Sequence, residues 1–157
     1  MLAKRIMVTH LITAQVDECI DDVLKRMRDS DLRMLPVLNP DQTVAGIFST
    51  FSLLSHIVPD YIVSGDLDQV SYAPDMGILH QHYTELSTKK VAVALDKVPV
   101  TVHPHDSLLS VAASTVAFCK HEYVLVVDEQ EKLLGIISAG DILDLLQLVK
   151  KGDGNDA

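Results

Sequence analysis

The chain repeats itself once, and the repeat departs from itself at an informative place. Residues Gly46 to Leu54 read GIFSTFSLL and Gly135 to Leu143 read GIISAGDIL, so most of the pattern recurs while Asp141 stands against Ser52. Each copy follows a short apolar run at the same distance before its glycine, Pro36 Val37 Leu38 in the first and Leu125 Val126 Val127 in the second. Ile12 Thr13 aligns with Val100 Thr101 at an offset of 88 and Gly46 Ile47 with Gly135 Ile136 at 89, which places one extra residue near the first helix of the second copy. A period that long exceeds the roughly 20 to 50 residues of solenoid and propeller repeats. It divides the chain into similar units at 3–58 and 91–149, a linker at 59–90 and a polar tail at 150–157 expected to be disordered.

Hydrophobic periodicity gives both copies the order strand, helix, strand, strand, helix. In the first, Asp17 is positioned as an N-cap, and Ile20, Val23, Leu24 and Met27 form an amphipathic stripe. Met34 to Leu38 and Val44 to Phe48 read as strands around the turn Asn39 Pro40 Asp41 Gln42, with a second helix from about Phe51. In the second copy, Val98 to Val102 reads as a strand, and Asp106 as the cap of a helix with Leu108, Val111, Ala112 and Val116 inward. Strands at Tyr123 to Val127 and Lys132 to Ile137 flank the turn at Asp128 to Glu131. The last helix, about Gly140 to Val149, is apolar at too many positions for one buried stripe, so Leu145 and Leu148 are candidates for a second contact surface. Within the linker, Leu79, His82, Tyr83 and Leu86 follow helical spacing and predict a helix at 75–88.

Composition limits the function classes. A unit of roughly fifty residues is marginal alone, so the two copies are expected to share an interface. The net charge of −9 argues against nucleic acid or an anionic membrane as the main partner, because both require clustered Lys and Arg. No apolar run approaches the roughly 18 residues that span a bilayer, and MLAKRIMVTH lacks the apolar stretch of a signal peptide, so a cytoplasmic protein without membrane insertion is expected. Cys19 and Cys119 sit in no CxxC or metal-ligand spacing and read as reduced thiols. His80 and His82 do not share a helix face and His103 and His105 flank a proline, so no metal site is expected. No GxSxG elbow, P-loop or HExxH occurs, and the chain does not read as an enzyme.

Two β-α-β-β-α units, each with an apolar run leading to Gly, two apolar residues and Ser, resemble a tandem pair of CBS domains, a Bateman module. The resemblance implies an α+β fold of two CBS-type units packed as a pseudo-symmetric pair, with a ligand cleft between them. Gly135 Ile136 Ile137 Ser138 Ala139 Gly140 Asp141 Ile142 is similar to the family's nucleotide-binding signature. A carboxylate accepts from both hydroxyls of a ribose, which suits Asp141, while Ser138 and the helix-start N–H groups of Ala139 and Gly140 can donate to a phosphate. Gly135 lets its strand approach a neighbour or the ligand closely. The resemblance places adenine against Thr101 and Val102, with Pro104 just beyond. Asp141 and Ser138 also fit a purely structural role as helix caps, and both readings stand at this point.

The first copy carries Ser52 in place of the acid, so one nucleotide per chain is expected rather than two. Phosphate charge needs a local cation, for which Arg33 and His121, just before the apolar runs, are the candidates. The resemblance implies a regulatory module in energy sensing that binds AMP, ADP or ATP, without a prosthetic group, as a homodimer, and modulates a partner protein. The alternative is a structural scaffold, a dimerisation module whose ligand site is degenerate, a reading favoured by Ser52 and by Glu122 beside His121.

Overall fold

A computed structural model of the chain describes residues 1–65 and 76–151. Its contacts divide into two compact units, one of residues 12–41 and 45–97, the other of residues 1–11, 42–44 and 98–157. The opening segment of each sequence repeat is therefore grouped with the unit built around the other repeat. Residues 91–97 belong with the first repeat's helices and strands, and residues 1–8 belong with the second's.

The first unit contains β1 (Ala14–Gln15), α1 (Ile20–Asp29), β2 (Met34–Leu38), β3 (Val44–Ser49), α2 (Thr50–Ile57), the single turn α3 (Asp60–Val63) and α4 (Met76–Ser87). The sheet order is β1-β2-β3, with β1 parallel to β2 and Ala14 opposite Val37. Ile20, Val23 and Met27 of α1 are buried together with Leu35, Val37, Phe48, Leu53 and Ile57, as the helical stripe and apolar strands require. Helix α1 starts at Ile20 with Cys19 before it and no side-chain cap, so Asp17 is not the cap. The first helical N–H, on Ile20, is instead taken by the carbonyl of Lys89 at 2.9 Å, a backbone acceptor supplied by a distant segment. Helix α4 packs Leu79, Tyr83 and Leu86 onto the same core, and His82 Nδ1 lies 2.8 Å from the carbonyl oxygen of Ile57. Pro74 and Asp75, which the sequence placed before and at the start of this helix, lie outside the described residues.

The second unit contains β4 (Thr101–Val102), α5 (Leu108–Phe118), β5 (Tyr123–Val127), β6 (Leu133–Ser138) and α6 (Ala139–Lys151). Strand β4 is parallel to β5 and β5 antiparallel to β6, with Tyr123 opposite Ser138. Ala3, Val102, Val111, Val124, Val126, Ile137 and Ile142 form its core. The strand expected at Val98 to Val102 is reduced to two residues, and Val98 is exposed. Ser107, not Asp106, caps α5 by accepting the N–H of Ser110, while the Asp106 carboxylate accepts the N–H of His103 at 2.9 Å. Val116 faces outward at 89% exposure. The inward row is Leu108, Val111, Ala112 and Thr115, and one residue further swings off that face. Helix α6 runs through residues 150 and 151, which were expected in the tail, and residues 152–157 of that tail lie outside the described residues.

Both repeat glycines lie where another backbone strand passes. A Cβ on Gly135 would stand 2.7 Å from the carbonyl oxygen of Val8, and one on Gly46 would collide with the carbonyl of Asp96. Each approach is fixed by a reciprocal pair of backbone hydrogen bonds, Val8 with Ile136 and Asp96 with Ile47. The glycines are required by the strand that crosses them.

Candidate functional site

At the start of α6 the two residues singled out from the signature hold each other. The Ser138 side chain accepts the Asp141 N–H at 3.0 Å, and Asp141 Oδ2 accepts the Ser138 N–H at 2.9 Å, the reciprocal arrangement of a capping box. The structural role is therefore real. Among the described residues it uses only one site on one carboxylate oxygen, so Oδ1 keeps both of its lone-pair directions. Asp141 is half-buried and, among the described residues, takes part in no ion pair.

The equivalent position in the first unit is chemically closed. Ser49 and Ser52 form the same box, with Ser52 Oγ accepting the Ser49 N–H at 2.8 Å and donating to the Ser49 carbonyl at 2.9 Å. Ser52 is 7% exposed, so its hydroxyl has neither a spare proton nor access. The duplication thus preserves the cap in both units and leaves a spare anionic acceptor in only one.

Other residues surround this helix start unequally. Ala139 and Gly140 are exposed in the first turn, where backbone N–H groups have no intrahelical acceptor. The Ser138 hydroxyl accepts in the cap, and among the described residues its proton has no acceptor. Gly135 lies inside β6 against Met7 and Val8, which makes it a packing residue of that strand. Thr101 is exposed on β4, whereas the Val102 side chain is buried in the core and offers only its backbone. Pro104 is half-buried, its carbonyl accepting the Lys4 N–H at 3.0 Å.

Of the candidate cations, His121 is half-buried and its carbonyl accepts the Cys119 thiol at 3.0 Å. Arg33 belongs to the first unit, where it is exposed and its carbonyl accepts the Thr50 N–H. Tyr123, opposite Ser138 in the β5–β6 ladder, was not singled out from the sequence. Burial, helped by the nearby Glu122 carboxylate, drives its phenol well above the usual tyrosine range and keeps it a neutral donor. The register, invisible in the sequence, is what brings it to this helix start. Among the described residues, no three His, Cys, Asp or Glu side chains group to hold a metal ion, and no helix is long and apolar enough to cross a membrane.

The sequence profile of the CBS domain matches this chain twice, at residues 3–59 and 91–148. The protein belongs to the CBS domain family. Its fold is that of CBS pairs: it superposes with a TM-score of 0.72 on a CBS domain-containing protein of unknown function from Bacillus anthracis, at 19% identity and covering 94% of each chain. It superposes equally broadly on CBSX2 in complex with AMP, with a TM-score of 0.70 at 21% identity, covering 95% of this chain and 98% of that one. In sequence it is 23% identical over 146 residues to a CBS domain-containing protein of Dictyostelium discoideum, covering 93% of this chain and 91% of the relative.

Proposed function

We propose that this CBS pair is a regulatory module that binds one adenine nucleotide, of the AMP, ADP or ATP class, at the start of α6, and modulates a partner protein. The observation that carries this reading is the spare oxygen of Asp141, an acceptor placed beside exposed helix-start N–H groups. Ribose hydroxyls donate to that carboxylate, and the Ser138 hydroxyl with the Ala139 and Gly140 N–H groups meets phosphate. Thr101 and the backbone of Val102 contact the base, with Pro104 bordering it. His121 supplies cation character. The AMP complex of a protein with the same fold supports the ligand class. A nucleotide acts on the partner only through a difference in its affinity for two states of the module.

Self-association fits the same reading, through large apolar side chains exposed on the helices of the second unit, Leu109 at 81% and Val116 at 89% on α5 and Leu143 at 61% on α6. Sedimentation of the wild type and of Val116→Glu tests it. A dimer that the substitution dissociates agrees, and a wild-type monomer at micromolar concentration contradicts it.

A thermal-shift panel of AMP, ADP, ATP, S-adenosylmethionine and NADH tests the ligand. A nucleotide at a hundred times its Kd adds about 2.7 kcal/mol, which for a chain of this size raises Tm by about 5 to 10 °C. Silence across the panel removes the sensor reading and leaves the interaction scaffold.

A further inference from the structure

The two units begin their helical layers in the same way and finish them differently. Ile20 N–H donates to the Lys89 carbonyl at 2.9 Å in the first unit, and Leu108 N–H donates to the Met1 carbonyl at 3.0 Å in the second, equivalent bonds at the repeat offset. In the first unit, the residues just before Lys89 are α4, which lies over α1 and α2 and seats Leu79, Tyr83 and Leu86 on the core. Its seat is fixed by His82 on the Ile57 carbonyl, by the Tyr83 hydroxyl donating to Asp21 at 3.0 Å and by the Cys19 thiol donating to the Ser87 carbonyl at 3.0 Å.

In the second unit the equivalent place is a groove of about 770 Å³ lined by Lys4, Arg5, Leu108, Leu145, Leu146 and Val149. Among the described residues, no helix fills it. Its effect on exposure is direct. Ile57, whose carbonyl meets α4, is 7% exposed, while Leu146, its counterpart in the repeat, is 54% exposed. The two grooves also differ in charge. Lys4 and Arg5 correspond to Ala92 and Val93 of the first unit, and among the described residues neither cation forms an ion pair.

We infer that this groove is a docking site for a short acidic amphipathic helix of a partner protein, lying over α5 and α6 as α4 lies over α1 and α2. The filled unit gives the apolar spacing of the occupant, since Leu79, Tyr83 and Leu86 are i, i+4 and i+7 along α4. The open unit gives its charge, because the rim cations Lys4 and Arg5 select carboxylates flanking that row. The inference is independent of nucleotide binding, and it names the kind of partner such a module would engage.

The test uses the full chain and a fluorescein-labelled helical peptide of about 15 residues, with Leu, Tyr and Leu at i, i+4 and i+7 and glutamates beside them. Fluorescence anisotropy should show saturable binding with Kd on the order of 10 to 100 µM. Leu146→Glu should weaken it at least about tenfold, and Lys4→Glu with Arg5→Glu should weaken it and flatten its salt dependence. Leu54→Glu, at a leucine 52% exposed on α2, should leave it unchanged and controls for nonspecific adhesion. Absence of binding, or binding indifferent to Leu146 and to the two cations, overturns the proposal. So does self-association that Leu146→Glu abolishes, because the occupant is then a second copy of this chain.

Discussion

Adding one methyl group at Gly135 tests why the repeat carries a glycine there. In Gly135→Ala the new Cβ would stand 2.7 Å from the Val8 carbonyl oxygen and 3.1 Å from Met7 Cγ. The side chain of Met7 can turn aside, but the Val8 carbonyl belongs to a backbone bonded twice to Ile136, at 2.8 Å and 3.0 Å. Relief therefore means either moving that segment away, at the cost of two hydrogen bonds worth about 0.5 to 1.5 kcal/mol each, or keeping an overpacked contact at about 1 to 3 kcal/mol. The expected destabilisation is about 1 to 3 kcal/mol. In urea, with an m-value of about 2 kcal/mol/M, the midpoint followed by far-UV circular dichroism should fall by about 0.5 to 1.5 M at unchanged slope. A midpoint within about 0.2 M of wild type would refute the claim that the crossing strand dictates this glycine.

Two further substitutions probe features of the same scaffold. Glu131 sits at a φ of 64° in the β5–β6 turn, a conformation costly for any residue with a Cβ, so Glu131→Gly should raise stability by about 0.5 to 1 kcal/mol in the same urea titration. A loss of stability there would mean the Glu131 side chain is itself holding the turn. The Arg26 guanidinium, through its hydrogen bonds to Glu18, holds that carboxyl below its ordinary value of 4.5. A lowered folded-state pKa gives stability that is present above the unfolded value and lost as pH falls through the folded one. Both side chains are about one-third exposed, at 36% for Arg26 and 29% for Glu18, so screening limits the pair to about 0.5 to 1 kcal/mol. Glu18→Gln should therefore be less stable than wild type at pH 7, and the two should converge below pH 4.5. A gap that persists at low pH would assign the loss to packing.

How much could be read from the sequence varied with how local the cause is. Strand β2 at Met34–Leu38 was legible because a continuous apolar run between turn residues admits little else. The inward row of α1 was legible because its outward side is charged, at Asp21, Lys25 and Arg28. Helix α5 lacks that contrast, with no charged residue along its length, and Val116 was accordingly placed on the wrong face. The cap expected at Asp17 failed for a nonlocal reason, and the one expected at Asp106 because the adjacent Ser107 takes that role. The helix-opening N–H groups of Ile20 and Leu108 are satisfied by the carbonyls of Lys89 and Met1, which no short-range rule can supply. The grouping of each opening segment with the other repeat's unit has the same origin, since the pairing of Val8 with Ile136 and of Asp96 with Ile47 leaves no periodic trace.

The Asp141 signature was legible as a difference between copies. Its double use, as a cap with one oxygen and an open acceptor with the other, became visible only in the hydrogen bonds.

That double use points to Asp141→Ser as the decisive variant, because Ser49 and Ser52 already demonstrate that two serines form the reciprocal cap in this protein. The helix start is kept and only the carboxylate is lost. Isothermal titration of AMP, ADP and ATP into wild type should give one site per chain. Asp141→Ser, with an unfolding midpoint close to wild type, should bind about 10- to 100-fold more weakly, as expected for losing hydrogen bonds to a charged acceptor worth about 1.5 to 3 kcal/mol. Equal affinity in the two proteins, or two sites per chain, would contradict a single nucleotide site resting on that carboxylate.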